Sequence, residues 1–250
     1  MSVLRVSGLA KAFGGVQALR GVGFSVTAGE ILAMIGPNGA GKSTCFNLLN
    51  GQLAPDAGRI ELEGHSIAGL SPRAIWRLGV GRTFQVTASF ASMTVRENVQ
   101  MALLSHARQL ASPFASAVRL HASEADAWLD QVGMQPQAER SAAVLAYGDL
   151  KRLELAMALT NRPRLLLMDE PTAGMATGER TALMRLTATL AKASGIAVLF
   201  TEHDMDAVFT HADRIIVLAD GRIIAEGSPA DVRADRRVRE VYLGEAADDA

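Results

Sequence analysis

One glycine-rich segment constrains this chain more than any other feature of its sequence. Residues 36–44 read GPNGAGKST and fit the pattern G-x-x-x-x-G-K-[ST] at every fixed position. The glycines let the backbone wrap around an anion and direct N–H groups at phosphate oxygens. The apolar run Ile31–Ile35 before the segment predicts a buried strand, and Thr44–Leu49 after it predicts a helix whose N-terminus attracts anions. The alternative is an ordinary glycine-rich turn.

The residues of this phosphate loop have separate predicted tasks. Lys42 supplies a positive charge for the outer phosphates of a nucleotide, and Ser43 offers a hydroxyl to Mg²⁺. The predicted contacts with the bound group are Gly36, Pro37, Asn38, Gly39, Ala40, Gly41, Lys42, Ser43 and Thr44. The sequence therefore predicts a phosphate site that works with a magnesium ion.

Composition excludes several classes of protein. The 250 residues could form one large domain or two small ones, and an apolar content of 49% is enough for a substantial core. A net charge of −1 argues against a general nucleic-acid-binding protein. The single cysteine, Cys45, excludes an internal disulfide and is expected to serve packing. No stretch approaches the roughly 18–20 apolar residues of a membrane span, and no signal peptide is evident, which predicts a cytoplasmic protein without a span of its own.

Hydrophobic patterning predicts an α/β fold. The first thirty residues largely alternate apolar and polar positions, as antiparallel strands do, and Ile60–Gly64 continues that texture. Further strands are expected at Val80–Gln85, Leu165–Met168 and Ala197–Phe200. Two short apolar runs around Asp220-Gly221 predict a hairpin.

Helical spacing occupies the regions between these strands. The block Met93–Val144 is rich in alanine, leucine and charge, and Ser123–Val132 within it predicts a helix with Ser123 in an N-cap pattern. A helix after Gly148 is too apolar for a solvated surface. The other expected helices are Thr181–Ala193 and Pro229–Gly244.

Polar side chains follow two of the predicted buried strands. Asp169 and Glu170 come directly after Leu165–Met168, and strand ends are where an α/β sheet binds its ligands. Asp169 would hold Mg²⁺, and Glu170 would polarise a water for attack on the terminal phosphate. His203 follows the next strand and could hydrogen-bond that phosphate and water. Alone, the carboxylates could begin a solvated loop and His203 could be a surface residue.

Three weaker features complete the candidate site. Phe13 precedes two glycines and could stack on adenine, although a core aromatic is the alternative. Gln85 follows a strand, and its neutral amide can reach Mg²⁺ or water. Leu145–Asp149 is a turn that leads into a helix N-terminus and forms a second possible anion site.

The order of these features resembles the ATP-binding subunit of ABC transporters over almost the whole chain. The resemblance implies a P-loop NTPase with the fold of an ABC nucleotide-binding domain: a RecA-like core, an antiparallel β subdomain and an inserted α-helical subdomain. The implied boundaries are residues 1–85 and 145–228 for the core with the β subdomain, 86–144 for the helical subdomain, and 229–250 for a C-terminal helix and tail.

The same resemblance implies roles for individual residues. Phe13 stacks on the adenine of ATP, Gln85 contacts Mg²⁺, Glu170 is the catalytic base, and His203 is the switch histidine. Ala146 and Gly148 fall in the family's signature segment LSGGQ, which covers the ATP of a second subunit. The implied partners are integral-membrane permease subunits and a second ABC ATPase subunit, identical or different, at the cytoplasmic face of the inner membrane. Apolar residues after Gln85 are candidates for the permease groove, with packing inside the helical subdomain as the alternative, and these are Val86, Phe90 and Met93.

The signature segment departs from the family pattern at three positions. Ala146 lacks the hydroxyl that would contact the opposite γ-phosphate, and Tyr147 replaces a glycine, so backbone N–H groups around Gly148 must bind the phosphate. Asp149 replaces glutamine and is expected to point away from ATP because both are negative. The loop Ala173–Ala176 also lacks the acidic residue that many members carry.

A set of four short sequence motifs resembles the ATPases of branched-chain amino acid importers, of the subtype that pairs with a second, different ATPase. It consists of RTFQ at 82–85, LAYG at 145–148, EHDMD at 202–206 and VYLG at 241–244. The chain end is also similar to lipopolysaccharide-export ATPases. The remaining alternatives are a soluble ABC protein acting on ribosomes or DNA, a small-molecule P-loop kinase and a nucleotide-binding regulatory module.

Overall fold

The structure is a computed structural model, and it describes residues 2–83, 89–107 and 120–241. The strands in these residues are β1 (Ser2–Phe13), β2 (Val16–Thr27), β3 (Ile31–Ile35), β4 (Ala57–Leu62), β5 (His65–Ser66), β6 (Val80–Thr83), β7 (Leu165–Asp169), β8 (Ala197–Thr201), β9 (Arg214–Ala219) and β10 (Arg222–Gly227). The helices are α1 (Lys42–Leu49), α2 (Pro72–Arg77), α3 (Val95–His106), α4 (Ala122–Gln131), α5 (Tyr147–Leu159), α6 (Thr177–Ser194), α7 (Met205–His211) and α8 (Pro229–Ala234). Gln85 and Val86 lie outside the described residues. No helix within the described ranges has the length and apolar character needed to cross a bilayer.

Two sheets organise these elements. A four-stranded antiparallel sheet has the order β2-β1-β4-β5, which confirms the predicted N-terminal sheet. A six-stranded sheet has the order β10-β9-β3-β8-β7-β6, and its pairs are parallel except β9 with β10. The predicted hairpin joins that last pair, where Asp220 and Gly221 have φ of 45° and 73°, the left-handed values that a type I′ turn requires.

The parallel strands are buried on both faces, so their side chains divide between two cores. Successive residues of a strand point to opposite faces of the sheet. In β3, Ile31, Ala33 and Ile35 pack with α3, α4, α5 and α6 on one face. Leu32 and Met34 pack on the other face with α1 and the antiparallel sheet. Strands β7 and β8 divide in the same way, which explains why all three read as continuous apolar runs.

Several helix boundaries differ from the predictions. The N-cap of α4 is His121 in a left-handed conformation with φ of 58°, so the predicted cap at Ser123 is wrong. Helix α6 begins at Thr177, four residues before the expected start. The single helix predicted over Pro229–Gly244 is wrong because Asp235 interrupts it with extended backbone (φ −66°, ψ 125°), and residues 236–241 form a separate helical turn.

Helix α5 is buried as predicted, but it is not wholly apolar. Leu153, Leu155 and Leu159 lie in the core. Lys151 and Glu154 are also buried, with 3% and 5% of their side chains exposed, and their Nζ and Oε2 atoms are 3.1 Å apart. The pair lies on one face of the helix, since residues three apart are neighbours there.

Candidate active site at the carboxyl edge of the parallel sheet

Parallel pairing brings several chain segments to one edge of the large sheet. Strand β3 ends there and leads into the phosphate loop, while β7 ends at Asp169 and β8 at Thr201. Strand β6 ends at the same edge, beside β7. The carboxyl ends of parallel strands are the usual ligand site of such sheets. The predicted residues of the phosphate loop and the two strand ends therefore share one edge.

The glycines of the phosphate loop are explained by backbone conformation and crowding. Gly36, Gly39 and Gly41 have φ of 152°, 78° and 106°, which L side chains rarely adopt. A Cβ on Gly36 would lie 2.0 Å from the carbonyl oxygen of Leu218, and one on Gly41 would lie 2.5 Å from that of Ala18. Two of the three positions therefore also require glycine for close packing of the backbone.

The start of α1 combines a cation with a helix N-terminus. Lys42 Nζ donates hydrogen bonds to the carbonyl oxygens of Gly36 at 2.5 Å and Pro37 at 3.0 Å, and the residue is buried. Gly41 is the N-cap and supplies no side-chain cap to α1. Backbone N–H groups at a helix start attract anions when no side chain satisfies them. Asn38 and Gly39 of this loop are exposed to solvent.

Asp169 and Glu170 are tied to the neighbouring strand by one residue. Thr201 Oγ1 donates to Asp169 Oδ1 at 2.8 Å, and the Glu170 N–H donates to Thr201 Oγ1 and to its carbonyl oxygen, both at 3.1 Å. Glu170 has φ of 48°. That conformation costs a residue other than glycine about 1–3 kcal/mol, and such strain clusters at functional sites. The contacts to Thr201 hold Glu170 in this conformation.

His203 lies against the Glu170 carboxylate. Its Nε2 is 2.9 Å from Glu170 Oε1, and the imidazole is 52% exposed. The preceding residue, Glu202, is buried and accepts hydrogen bonds from the Thr172 N–H at 2.8 Å and from Thr172 Oγ1 at 2.6 Å. These bonds join the loop after β7 to the loop after β8, so they fix the relative positions of Glu170 and His203.

Arg82 is a residue of this site that sequence reasoning missed. Its Nη2 lies 3.5 Å from Asp169 Oδ2, and its Nη1 lies 3.3 Å from Asn47 Oδ1 and 3.2 Å from Gln52 Oε1. Burial lowers the pKa of the Arg82 guanidinium, and the Asp169 carboxylate opposes that shift. The sequence signal that points to Arg82 is its charge, because a charged residue inside a predicted strand of the sheet is unusual.

Helix α5 begins beside the loop that follows Glu170. Ala146 is its N-cap and makes no side-chain cap bond. Tyr147 is 41% exposed, and a Cβ on Gly174 would lie 3.7 Å from its ring. A Cβ on Gly148 would lie 3.0 Å from the Glu179 carboxylate, so glycine is favoured there.

The carboxylate of Asp149 is engaged by side chains of its own neighbourhood. Gln137 Nε2 donates to Asp149 Oδ2 at 3.1 Å, and Arg152 Nη1 lies 3.9 Å from Oδ1. These contacts compensate its charge within the protein, and the expectation that Asp149 points away from ATP stays a prediction.

Phe13 and Cys45 show opposite environments. Phe13 lies at the end of β1 with 46% of its surface exposed, so the alternative of a core aromatic is wrong. Lys11 Nζ lies 5.6 Å from the centroid of its ring.

Cys45 is buried in α1, and burial raises the pKa of its thiol to about 12. A thiol protonated at neutral pH is unreactive, as expected of a packing residue.

The donor set fits a magnesium ion held jointly with a nucleotide. Ser43 is exposed at the start of α1, and Asp169 presents a carboxylate at the same sheet edge. Within the described residues no cluster of three or more His, Cys, Asp or Glu side chains could hold a metal. Mg²⁺ requires no such cluster, because it commonly takes one or two protein ligands with phosphate oxygens and water. Gln85, the third predicted ligand, lies outside the described residues.

An open cavity of about 300 Å³ lies beside β6, and we call it the interhelical cavity. It is lined by Asn50, Gln52, Pro72, Ile75, Trp76, Val80, Arg82, Thr83, Ala102, Glu154, Met157 and Ala158. Arg82 therefore contributes to this wall and also contacts Asp169. Phe90 is exposed and Met93 is half-buried, and neither of these expected groove residues is among the lining residues.

Comparison with known proteins agrees with this geometry. The family profile described as ABC transporter matches residues 19–173, and the profile described as branched-chain amino acid ATP-binding cassette transporter matches residues 222–248. The chain is 42% identical to the high-affinity branched-chain amino acid transport ATP-binding protein BraF of Pseudomonas aeruginosa, over 98% of each chain. It is 39% identical to the corresponding protein LivG of Escherichia coli, also over 98% of each. A crystal structure of an ATP-binding cassette of an ABC transporter in its ADP conformation superposes with a TM-score of 0.87 at 34% identity, covering 98% of this chain and 99% of that one.

Proposed function

The chain belongs to the ABC transporter family, and from that premise we propose that it is the ATP-hydrolysing subunit of an importer for branched-chain amino acids or related small polar solutes. The observation that carries the hydrolytic part is the contact of Glu170 with His203, at the sheet edge from which the phosphate loop also leaves. The high identity to branched-chain transport ATP-binding proteins, over nearly full length, supports the solute class. Membership of this family leaves no reason to consider a small-molecule kinase.

Hydrolysis would divide among three side chains. Lys42 would leave the carbonyl oxygens of its own loop and bind the terminal phosphate, because the two kinds of oxygen compete for one ammonium group. Glu170 would accept a proton from the attacking water. His203 would hold Glu170 and the phosphate in register through its ring nitrogens.

The remaining predicted residues would bind the nucleotide and its ion. Backbone N–H groups of residues 36–44 would surround the phosphates, and the exposed ring of Phe13 would stack on adenine. Ser43, Gln85 and Asp169 would hold Mg²⁺, which supplies charge neutralisation for the phosphates.

A second subunit would complete the site. Because Ala146 and Gly148 lie at the start of α5, their backbone could contact the nucleotide of an identical or different ABC ATPase subunit.

The proposed organisation is a core with the β subdomain at 1–85 and 145–228, a helical subdomain at 86–144 and a C-terminal segment at 229–250. The match of the branched-chain profile to residues 222–248 favours the importer over a lipopolysaccharide-export or non-transport ABC ATPase. The assembly would lie at the cytoplasmic face of the inner membrane.

Reconstituted transport tests the proposed solute directly. The proteoliposomes would contain this chain, its permease subunits, its partner ATPase and the solute-binding protein. They should accumulate leucine when ATP is present on the side of the membrane that carries the ATPase subunits. Liposomes prepared with Lys42→Met serve as the control and should accumulate none. Uptake of urea or amides in place of leucine would change the solute class, and ATP-driven release of lipid would contradict import.

We also propose that the interhelical cavity receives a segment of the permease. The apolar lining residues Ile75, Trp76 and Met157 suit an apolar side chain, and the polar lining residues Asn50, Gln52 and Arg82 suit a segment that also carries polar groups. Replacing Ala102 by glutamate should abolish co-purification with the permease and leave ATP binding intact, since Ala102 lines the cavity from α3. Ala127→Glu, at an exposed site of α4, is the matched control. An affinity pull-down measures how much permease co-purifies with each variant. Equal amounts with both variants would mean that the permease binds elsewhere.

A further inference from the structure

Arg82 connects two parts of the molecule that the proposed function treats separately. Its guanidinium contacts the Asp169 carboxylate at 3.5 Å, and the arginine side chain is 12% exposed. The same side chain forms part of the wall of the interhelical cavity. The side-chain oxygens of Asn47 and Gln52 also accept hydrogen bonds from Nη1. One side chain therefore spans the distance from the proposed metal ligand to the proposed permease site.

Arg82 balances the charge of Asp169. The Asp169 side chain is 16% exposed, and a poorly solvated carboxylate requires hydrogen bonds and a positive partner. Thr201 donates to Oδ1, and Arg82 faces Oδ2. A divalent cation held by Asp169 would place two more positive charges within a few ångströms of the guanidinium. Like charges at such separations repel strongly where water is scarce, so Arg82 and the cation compete for the same carboxylate.

The interhelical cavity gives Arg82 a place to move. Its volume of about 300 Å³ exceeds what a guanidinium group occupies. The wall also contains the side chain of Glu154, which Lys151 contacts at 3.1 Å. Arg82 can therefore turn away from Asp169 and remain near negative charge and polar oxygens. Such a movement changes the shape and the charge of the cavity wall.

We propose that Arg82 is a positioning residue that holds Asp169 before Mg²⁺ binds and then turns into the interhelical cavity, altering the surface on which the permease segment packs. The inference rests on the proposed function, because it takes Asp169 as a magnesium ligand and the cavity as the permease site. Arg82 would act on the metal site through the Asp169 carboxylate, which its Nη2 contacts at 3.5 Å. Its effect is to make the cavity wall depend on whether the metal site is filled.

Trp76 allows this movement to be measured without any enzymatic activity. The ring lines the same cavity and packs edge-on against His106, with ring centroids 5.3 Å apart. The sequence has two tryptophans, so Trp128→Phe leaves Trp76 as the single reporter. In that background we expect the ATP analogue AMP-PNP with Mg²⁺ to shift Trp76 emission. AMP-PNP with EDTA should leave the emission unchanged.

Variants of Arg82 then test the relay. Arg82→Gln should abolish the emission shift and lower the Mg²⁺ concentration for half-saturation about threefold or more, because the competing charge is gone. Arg82→Lys keeps the charge and should retain a reduced shift, which guards against a folding defect of Arg82→Gln. Arg59→Gln, at an exposed position of β4, is the matched control and should behave as the parent protein.

The outcomes separate this inference from the proposed function. Labelled AMP-PNP measures nucleotide binding independently of the tryptophan signal. Absence of nucleotide binding by the parent protein would reject the proposed function. Binding with Mg²⁺ but a silent Trp76, or an equal shift in Arg82→Gln, would reject only the role of Arg82. A shift of the same size in EDTA would likewise show that the nucleotide alone moves the cavity wall.

Discussion

Replacing Glu170 by glutamine should lower ATP turnover about 10²–10⁴-fold and leave ATP binding nearly unchanged. The amide has the shape of the carboxylate but cannot accept a proton from water, and general bases contribute rate factors of this size. The replacement keeps the oxygen that faces His203 Nε2 at 2.9 Å, so the local geometry should persist. Phosphate release measures turnover, and equilibrium dialysis with labelled ATP measures binding. Size-exclusion chromatography should show an ATP-dependent dimer that no longer dissociates.

A matched substitution separates this effect from a general loss of negative charge. Glu139→Gln removes a carboxylate that is 78% exposed and paired with Arg96 outside the site. It should retain the parent turnover, since an exposed ion pair contributes little. Parent-level turnover in Glu170→Gln would remove Glu170 from the role of base. Loss of ATP binding in that variant would instead assign Glu170 to the architecture of the site.

The buried strands were predictable because their environment restricts every position to apolar residue types. A strand of a parallel sheet that is covered on both faces needs apolar residues at every position, and such runs are visible without knowledge of the partner strands. Strand β3 was predicted within its observed bounds, and β7 and β8 each extend one residue further, to Asp169 and Thr201. Polar residues at the ends of these strands could then be assigned to the ligand edge.

A side-chain cap marks a helix start directly in the sequence, whereas an uncapped start must be inferred from the hydrophobic spacing that follows it. Thr94 and Ser228 form capping boxes at α3 and α8, and such residues are recognisable in a sequence. The N-cap of α6 is Ala176, which makes no side-chain bond, so nothing local marks its start. His121 at α4 is likewise an uncommon N-cap residue. The pattern favours Ser123 instead, because serine is among the preferred N-cap residues.

Contacts between distant segments of the site could not be derived from the sequence. Arg82 and Asp169 are brought together by the register of β6 against β7, and Thr201 reaches Asp169 through the register of β8. The left-handed backbone of Glu170 is also unreadable, because glutamate carries no signal for positive φ. Sequence patterns identified which residue types gather at the edge, and pairing register determines which of them touch.

The phosphate loop offers the second large expected effect, at Gly36. Its alanine variant should unfold more easily by about 3 kcal/mol or more and lose ATP binding by over about 100-fold. The added Cβ would lie 2.0 Å from the Leu218 carbonyl oxygen, and neither backbone can yield without moving the start of α1 or β9. The φ of 152° is a further strain for alanine. Denaturant unfolding and equilibrium dialysis with labelled ATP measure the two losses.

Two other glycines separate crowding from backbone strain. Gly69 lies outside the site with φ of 76°, and Gly39 lies in the loop with φ of 78°; a Cβ added at either would meet no atom within 4 Å. Their alanine variants should each lose only about 1–2 kcal/mol, the ordinary cost of a left-handed alanine. Gly69→Ala should bind ATP as the parent protein does, and Gly39→Ala should lose far less affinity than Gly36→Ala. Equal losses at Gly36 and Gly39 would mean that backbone strain alone shapes the loop, and that its contact with Leu218 is unimportant for holding phosphate.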